Sequence, residues 1–319
     1  MCKKINMKPR VLTTDKIHEN TIKEAKKFAD VTTDFGASEE EIINKIFDYD
    51  ALIVRSGTKV TRKIIEAGNL KVIGRAGVGL DNIDLDFAKE KGIEVVNAPE
   101  SLTIAVTELT FGLLISLMRN IVCGDKSLRE RKWGRHKFVG NELYGKTWGI
   151  VGFGRIGREV ANRANAFGMN ILAYDPHTTV EDARESNAVL VDELDELLKN
   201  SDIISLHVPL TPETKHLINA EKLKIMKNSA VLVNIARGGV VDTSALIDAL
   251  KNGEISGAAL DVFETEPLGD SPLLELDNVV LTPHLGASSI ESQIVAGTIV
   301  VEKIKKIFIS PSFKSFKSK

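Results

Sequence analysis

Residues 147–158 read TWGIVGFGRIGR. An apolar run ending at Val151 opens onto Gly152-x-Gly154-x-x-Gly157, and apolar residues then recur at Ile156, Val160, Ala164 and Phe167 with helical spacing. Such a glycine pattern is common by itself, but between a strand and a helix it has a mechanism. Gly152 makes the tight turn, Gly154 lets backbone approach a pyrophosphate, and Gly157 lets helix and strand pack closely. The helix N-terminus offers unpaired N–H groups and the positive end of its dipole to phosphate, and Arg155 adds a direct charge. The next strand-like run, 171–174, ends at Asp175, roughly 20 residues beyond the glycines, where an acid reads a ribose. A carboxylate there accepts from both ribose hydroxyls and repels a 2′-phosphate. Pro176, His177 and Thr178 follow it, with no arginine among them. The segment predicts NAD rather than NADP.

Working outward, short β-rich runs alternate with helical stretches along the whole chain. Residues 11–13, 51–54, 71–73 and 94–97 read as buried strands because their apolar residues are continuous. Helical spacing separates them at 19–28, 39–47 and 84–91. After the turn-forming Asn97-Ala98-Pro99, one long helix is expected from about 101 to about 121. A second series of strands follows at 147–151, 171–174, 188–190, 203–206, 231–234, 257–260 and 279–281. The last helix, 290–308, has no strand of its own and is expected to cross back onto the first domain, so that two crossings make a hinge. This alternation implies two α/β domains with parallel sheets covered by helices on both faces. The boundary falls near 99–101, and the lysine-serine tail after Pro311 is expected to be disordered.

Bulk properties agree with two soluble domains. At 319 residues the chain exceeds what one core usually supports. A formal net charge of −2 gives no global attraction to nucleic acid or anionic membrane. Cys2 and Cys123 are too far apart in sequence to suggest a disulfide framework or a zinc site, and no metal is expected. The longest apolar stretch, 109–118, is about half a membrane span, and the lysine-bearing N-terminus lacks the apolar core of a signal peptide. A cytoplasmic location is expected.

Ionisable residues stand just beyond the later strands, where open α/β sheets bind ligands. Arg237 lies in NIARGG, Glu266 in LDVFETEP and His284 in LTPHLGA. Oxidising a 2-hydroxy acid removes a hydroxyl proton while hydride leaves the same carbon. Histidine titrates near neutrality and suits that proton. A carboxylate on its far nitrogen, available from Glu266, fixes the ring and favours the imidazolium. Arg237 offers a planar fork for the substrate carboxylate.

GFGRIG with Asp175, NIARGGVVD (234–242), ALDVFETEP (259–267) and TPHLGAS (282–288) occur in that order. Together they resemble the D-isomer-specific 2-hydroxyacid dehydrogenases, from the first strand to the terminal helix. The resemblance implies two doubly wound parallel-sheet domains. A Rossmann NAD-binding domain (101–286) is inserted into a flavodoxin-like substrate-binding domain (1–100 plus 287–319). It implies that Arg237, Glu266 and His284 are catalytic. It also implies that Val78, Arg155, Ile156, Val208, Ile235, Ala236, Asp261, Gly286 and Ala287 join the glycines and Asp175 around NAD.

Within the family, LIVRSGTKVT (52–61), GRAGVGLDNID (74–84) and KWGRHKFVGNELYGKT (132–147) are similar to members that take a phosphorylated 2-hydroxy acid. Arg55, Ser56, Gly57, Arg75 and a backbone N–H nest at Gly77–Gly79 would then hold anionic substrate. Arg135 and Lys137 would assist from a neighbouring subunit. The resemblance also implies a homodimer formed through the NAD-binding domain, with the helix after Ser101 at the interface. Many members carry a regulatory region after the terminal helix; with the sequence ending at Lys319, none is expected. Two other readings share the scaffold: a glyoxylate or hydroxypyruvate reductase, and an NAD-sensing corepressor.

Overall fold

A computed structural model describes residues 8–309; Cys2 and the lysine-serine tail lie outside the described residues. The chain forms two compact units. One comprises residues up to Leu102 together with those from Ala287 onward; the other runs from Thr103 to Gly286.

The first unit has five strands: β1 (Arg10–Thr13), β2 (Asp30–Thr33), β3 (Ala51–Val54), β4 (Val72–Arg75) and β5 (Glu94–Val96). They pair in parallel in the order β2-β1-β3-β4-β5, the flavodoxin-like arrangement. Alternating residues of β3 serve opposite faces, as the two-residue period of a strand requires. Leu52 and Val54 pack with Ile42, Ile46, Ile64 and Phe87. Ala51 and Ile53 pack with Ala25, Val300 and Ile304.

The last three of those residues belong to helical cover that includes the terminal helix, Ile290–Ile309. As expected, it returns to this sheet, and Gly74 shows how closely. A Cβ at 74 would lie 2.6 Å from Val300 Cγ1 and 2.8 Å from Ile304 Cδ1, so only hydrogen fits beneath the helix. Lys303 ties the same helix to the loop after β5 through the Asn97 carbonyl, at 2.8 Å.

The second unit holds β6 (Thr147–Val151), β7 (Asn170–Tyr174), β8 (Val189–Leu190), β9 (Ile203–Leu206), β10 (Val231–Asn234), β11 (Gly257–Leu260) and β12 (Val279–Leu281). All pair in parallel, in the order β12-β11-β10-β9-β6-β7-β8. The order reverses between β6 and β9, which sets a crevice beyond their carboxyl ends. The helix Arg155–Ala166 buries Gly157, Val160, Ala161 and Ala164. Phe167, expected on that face, caps the helix instead and is 44% exposed.

The single helix expected from 101 to 121 is two. Thr103–Met118 ends, Asn120 takes a left-handed backbone (φ 52°), and Ile121–Arg129 leaves at 64°. Asparagine tolerates that conformation better than most side chains, so it turns a continuous apolar pattern into a corner. Part of the apolar run belongs to this unit's own core: Phe111 sits 5.0 Å from the fully buried Trp148 ring. No single helix among the described residues is long and apolar enough to cross a membrane.

Candidate active site

Every strand of the second unit except β8 runs into one of the expected residues, and parallel pairing brings those ends to one edge. β6 runs into Gly152, whose φ of +92° only glycine adopts readily. A Cβ there would also lie 2.8 Å from the His207 carbonyl, just beyond β9. At Gly157 a Cβ would meet the Gly152 carbonyl at 2.3 Å, the close helix–strand packing the motif requires. Gly154 differs: nothing lies within 4 Å of where its Cβ would be. Packing within the protein does not demand a glycine here. Open space over a bare backbone at the start of a helix with no side-chain cap fits a pyrophosphate. Arg155 and Ile156 follow as the first helical residues.

Asp175 stands one residue beyond β7. Its Oδ2 accepts the Phe153 N–H at 2.7 Å and its Oδ1 the His177 N–H at 2.8 Å. The carboxylate therefore braces the glycine loop. Val208 follows β9, with a methyl group 2.8 Å from the Gly152 Cβ position. Beyond β10, Asn234 closes the Ile235–Arg237 turn: its side chain accepts from Ala236 N–H at 3.1 Å and donates to the Arg237 carbonyl at 3.0 Å. Arg237 lays one guanidinium nitrogen on the Ala236 carbonyl at 2.7 Å.

His284 follows β12 with a left-handed backbone, φ 54°. Its Nδ1 is 2.7 Å from Glu266 Oε2, and Glu266 Oε1 accepts the Phe263 N–H at 3.1 Å. An ionised carboxylate only accepts, so in the neutral ring this contact places the proton on Nδ1 and leaves the Nε2 lone pair free. The pair is partly open to solvent, with side chains 47% and 36% exposed. The arrangement makes Nε2 a proton acceptor whose ring is held from behind.

Asp261, expected at the cofactor, is fully buried. Its carboxylate accepts from Thr282 Oγ1, Leu285 N–H and Gly286 N–H at 2.6, 2.7 and 2.8 Å. Its observed partners are the loop that carries His284. Burial pushes His207 down to about 3, so the ring is neutral. Its Nε2 meets Ser205 Oγ at 2.8 Å, and the same hydroxyl accepts from Trp148 Nε1 at 2.8 Å.

In the first unit, Arg55 follows β3 and Arg75 ends β4. Arg75 Nε donates to Asn82 Oδ1 at 3.0 Å, and the guanidinium lies over Gly77, where a Cβ would be 2.4 Å from it. The expected nest needs correction, because Gly77 N–H already donates to the Arg75 carbonyl at 2.8 Å. The N–H groups of Val78 and Gly79 remain without acceptors among the described residues. Arg55 lines a pocket of about 550 Å³ with Lys16, His18 and Gln293.

Asp15 was missed in the sequence, though it organises this loop. It accepts from the N–H groups of Arg55 and Thr58 and from Thr58 Oγ1, and Gly57 leaves room for it. A lone acid some forty residues from its partners gives no local signal. Arg135 lies on an exposed 3₁₀ turn, Arg135–Phe138, of the second unit.

Residues 111–286 match the family model of the D-isomer specific 2-hydroxyacid dehydrogenase NAD-binding domain. The chain is 55% identical to D-3-phosphoglycerate dehydrogenase of Methanocaldococcus jannaschii, over 93% of this chain and 57% of that protein. It is 51% identical to hydroxypyruvate reductase of Thermotoga maritima, over 84% of this chain and 87% of that one. The chain spans about half the length of the phosphoglycerate dehydrogenases it matches. The fold superposes on D-lactate dehydrogenase of Aquifex aeolicus, solved with NAD and lactic acid, with a TM-score of 0.83 and 33% identity, covering 97% of this chain and 98% of that one. A glycine turn open at Gly154, an acid beyond β7 and a histidine backed by a carboxylate all lie within or beside the matched span, and the chain belongs to the D-isomer specific 2-hydroxyacid dehydrogenase family, with NAD as its cofactor.

Proposed function

We propose that the protein oxidises D-3-phosphoglycerate to 3-phosphohydroxypyruvate, the entry to serine synthesis. The observation that carries the reading is the His284–Glu266 pair at 2.7 Å. His284 Nε2 takes the substrate hydroxyl proton, and the Glu266 carboxylate stabilises the imidazolium that results. Arg237 grips the substrate carboxylate and stabilises charge on the reacting oxygen. Bound NAD supplies the hydride acceptor. Asp175 sets the preference for NAD over its 2′-phosphorylated form. Val78, Val208, Ile235, Ala236, Gly286 and Ala287 complete the cofactor's surroundings.

Substrate phosphate is read by Arg55 and Arg75, with Ser56, Gly57 and the Val78–Gly79 N–H groups nearby. Support comes from the pocket that Arg55 and Lys16 line together with His18 and Glu19 and from the M. jannaschii phosphoglycerate dehydrogenase. The same reading takes the enzyme as a cytoplasmic homodimer joined through the NAD-binding unit. The helix Ile121–Arg129 buries none of its residues, and Ile121, Val122 and Leu128 are each at least half exposed. Arg135 then acts from the partner subunit.

A second reading, hydroxypyruvate reductase, is favoured by the T. maritima relative, which this chain matches over 87% of its length. NADH absorbance with 3-phosphoglycerate, D-glycerate and D-lactate in parallel, and with hydroxypyruvate and glyoxylate in reverse, separates the two. The proposal expects 3-phosphoglycerate to have the highest kcat/KM among the hydroxy acids. Outright preference for glycerate, hydroxypyruvate or glyoxylate replaces it with the reductase.

A further inference from the structure

A second histidine–carboxylate pair lies beside the first. His216 Nε2 is 3.0 Å from Glu264 Oε2, and Glu264 Oε1 accepts the Thr243 N–H at 2.9 Å. Glu264 sits two residues before Glu266. His216 is itself anchored, because its backbone N–H donates to the Gly239 carbonyl at 2.8 Å. Gly239 sits two residues after Arg237. Between them, Gly238 presses directly on the other loop: a Cβ there would be 1.9 Å from the Phe263 carbonyl carbon and 2.3 Å from Glu264 N.

The Arg237 turn and the Glu266 loop thus touch backbone to backbone, with no side chain between them. Such contact supplies shape but little attraction, so a polar fastening is needed to hold it. The hydrogen bond from Phe263 N–H to Glu266 is internal to its loop and anchors it to nothing else. Glu266 itself reaches His284, and Glu264 is what ties the loop to the residues that follow Arg237, through His216 and Thr243. The Glu264 carboxylate stands at the N-terminus of the helix Thr243–Asn252, where the dipole favours an anion. Burial raises its pKa, but the hydrogen bonds from Thr243 and His216 outweigh that and hold it below the usual carboxylate range.

We propose that Glu264 is a positioning residue: bridging His216 and Thr243, it clamps the Glu266 loop to the Arg237 turn so that the proton acceptor and the carboxylate-binding arginine keep one geometry. The inference rests on the roles given above to His284, Glu266 and Arg237.

The test is a double-mutant cycle of Glu264→Ala and Glu266→Gln in the NAD-loaded enzyme. It is read by kcat and KM, by NADH fluorescence titration, and by hydrogen exchange over residues 263–267. Glu264→Ala is expected to lower kcat by about ten- to a hundred-fold, as small displacements of a catalytic group do. NADH affinity should stay within about two-fold, and exchange over 263–267 should rise. Glu264→Gln should recover most of kcat, because its amide oxygen still accepts from Thr243 and its NH2 can donate to the His216 ring. In the double variant the loss should be no greater than with Glu266→Gln alone, since Glu264 acts through that residue.

Multiplying losses, an equal fall in NADH affinity, or unchanged exchange would overturn the proposal. If Glu264→Ala does not fold, His216→Ala takes its place, with a few-fold loss of kcat expected that vanishes in the Glu266→Gln background; a loss that persists there counts against it. An unchanged kcat in Glu266→Gln refutes the underlying reading of the site. A loss in Glu266→Gln with none in Glu264→Ala refutes the clamp alone.

Discussion

The carbonyl oxygen of Asp261 accepts the backbone N–H of His284 at 2.8 Å, while the Asp261 carboxylate holds the two residues that follow it. A histidine with a left-handed backbone is kept in place by a buried acid at the end of the neighbouring strand. Asp261→Asn puts an amide NH2 against one of these donors. A buried group left unsatisfied costs about 1–3 kcal/mol, so the denaturant midpoint should fall accordingly. kcat should fall with it, because the His284 loop loses its fastening. A lower midpoint with unchanged kcat would show that the loop keeps its geometry without Asp261.

His284→Ala should reduce kcat by about two to four orders of magnitude, the usual range for a general base. NADH affinity should stay nearly constant. Glu266→Gln removes a charge-assisted bond worth about 1.5–3 kcal/mol, or roughly one to two decades in kcat. Activity of His284→Ala within a few-fold of the parent would sink the assignment.

Asp175→Ala should shift the ratio of kcat/KM for NAD over NADP downward by roughly one to two decades, from the loss of charged hydrogen bonds to the ribose. Part of the fall with NAD will come from the glycine loop, which loses the Asp175 acceptor of Phe153 N–H. Equal use of both cofactors by the unmodified protein would refute the role given to Asp175.

Arg55→Ala should reduce kcat/KM for 3-phosphoglycerate by roughly one to two decades, one charge-assisted contact. Slow D-glycerate oxidation should be almost untouched. Added salt should raise KM for the phosphorylated substrate more than for the other, since screening acts on the extra charge. Equal losses on both substrates would show that Arg55 does not read phosphate.

His207 makes a pH prediction with a definite sign. Its folded-state pKa is pushed down to about 3 by burial, whereas the unfolded chain binds a proton near 6.5. Its contribution to stability is therefore complete above about pH 6.5 and is lost as pH falls toward about 3, by at most about 1.4 kcal/mol per pH unit. His207→Asn should flatten the dependence of the unfolding free energy between about pH 6 and 4. An unchanged slope in urea titrations across that range would rule His207 out as its source.

The strand ends were legible in the sequence because each depends on local pattern, and the His284–Glu266 pairing because a proton-accepting histidine calls for a carboxylate behind it. Buried parallel strands are continuous apolar runs, and strand–glycine–helix is contiguous. The corner at Asn120 was not, because the apolar spacing of 103–118 runs straight into Ile121 and a single left-handed residue leaves no periodic trace. β2 was missed because its residues, Asp30-Val31-Thr32-Thr33, lie at a sheet edge and bury none of their number. Asp15, Asp261 and Glu264 act on partners far along the chain, with Glu264 reaching 48 residues to His216. No window of sequence contains such a pair.

The return of the terminal helix to the first sheet also sets an order on synthesis. Val300 and Ile304 leave the ribosome after every residue of the intervening unit, yet they close over Gly74 and complete the face formed by Val11, Ile53 and Val72. The nascent first sheet must wait, with that face covered only in part by the early helix that carries Ala25, while some two hundred further residues are translated at roughly 5–20 residues per second. The inserted unit, whose strands are all contiguous in the chain, can collapse during that interval. The vulnerable period in this protein's birth therefore belongs to its earliest-made strands.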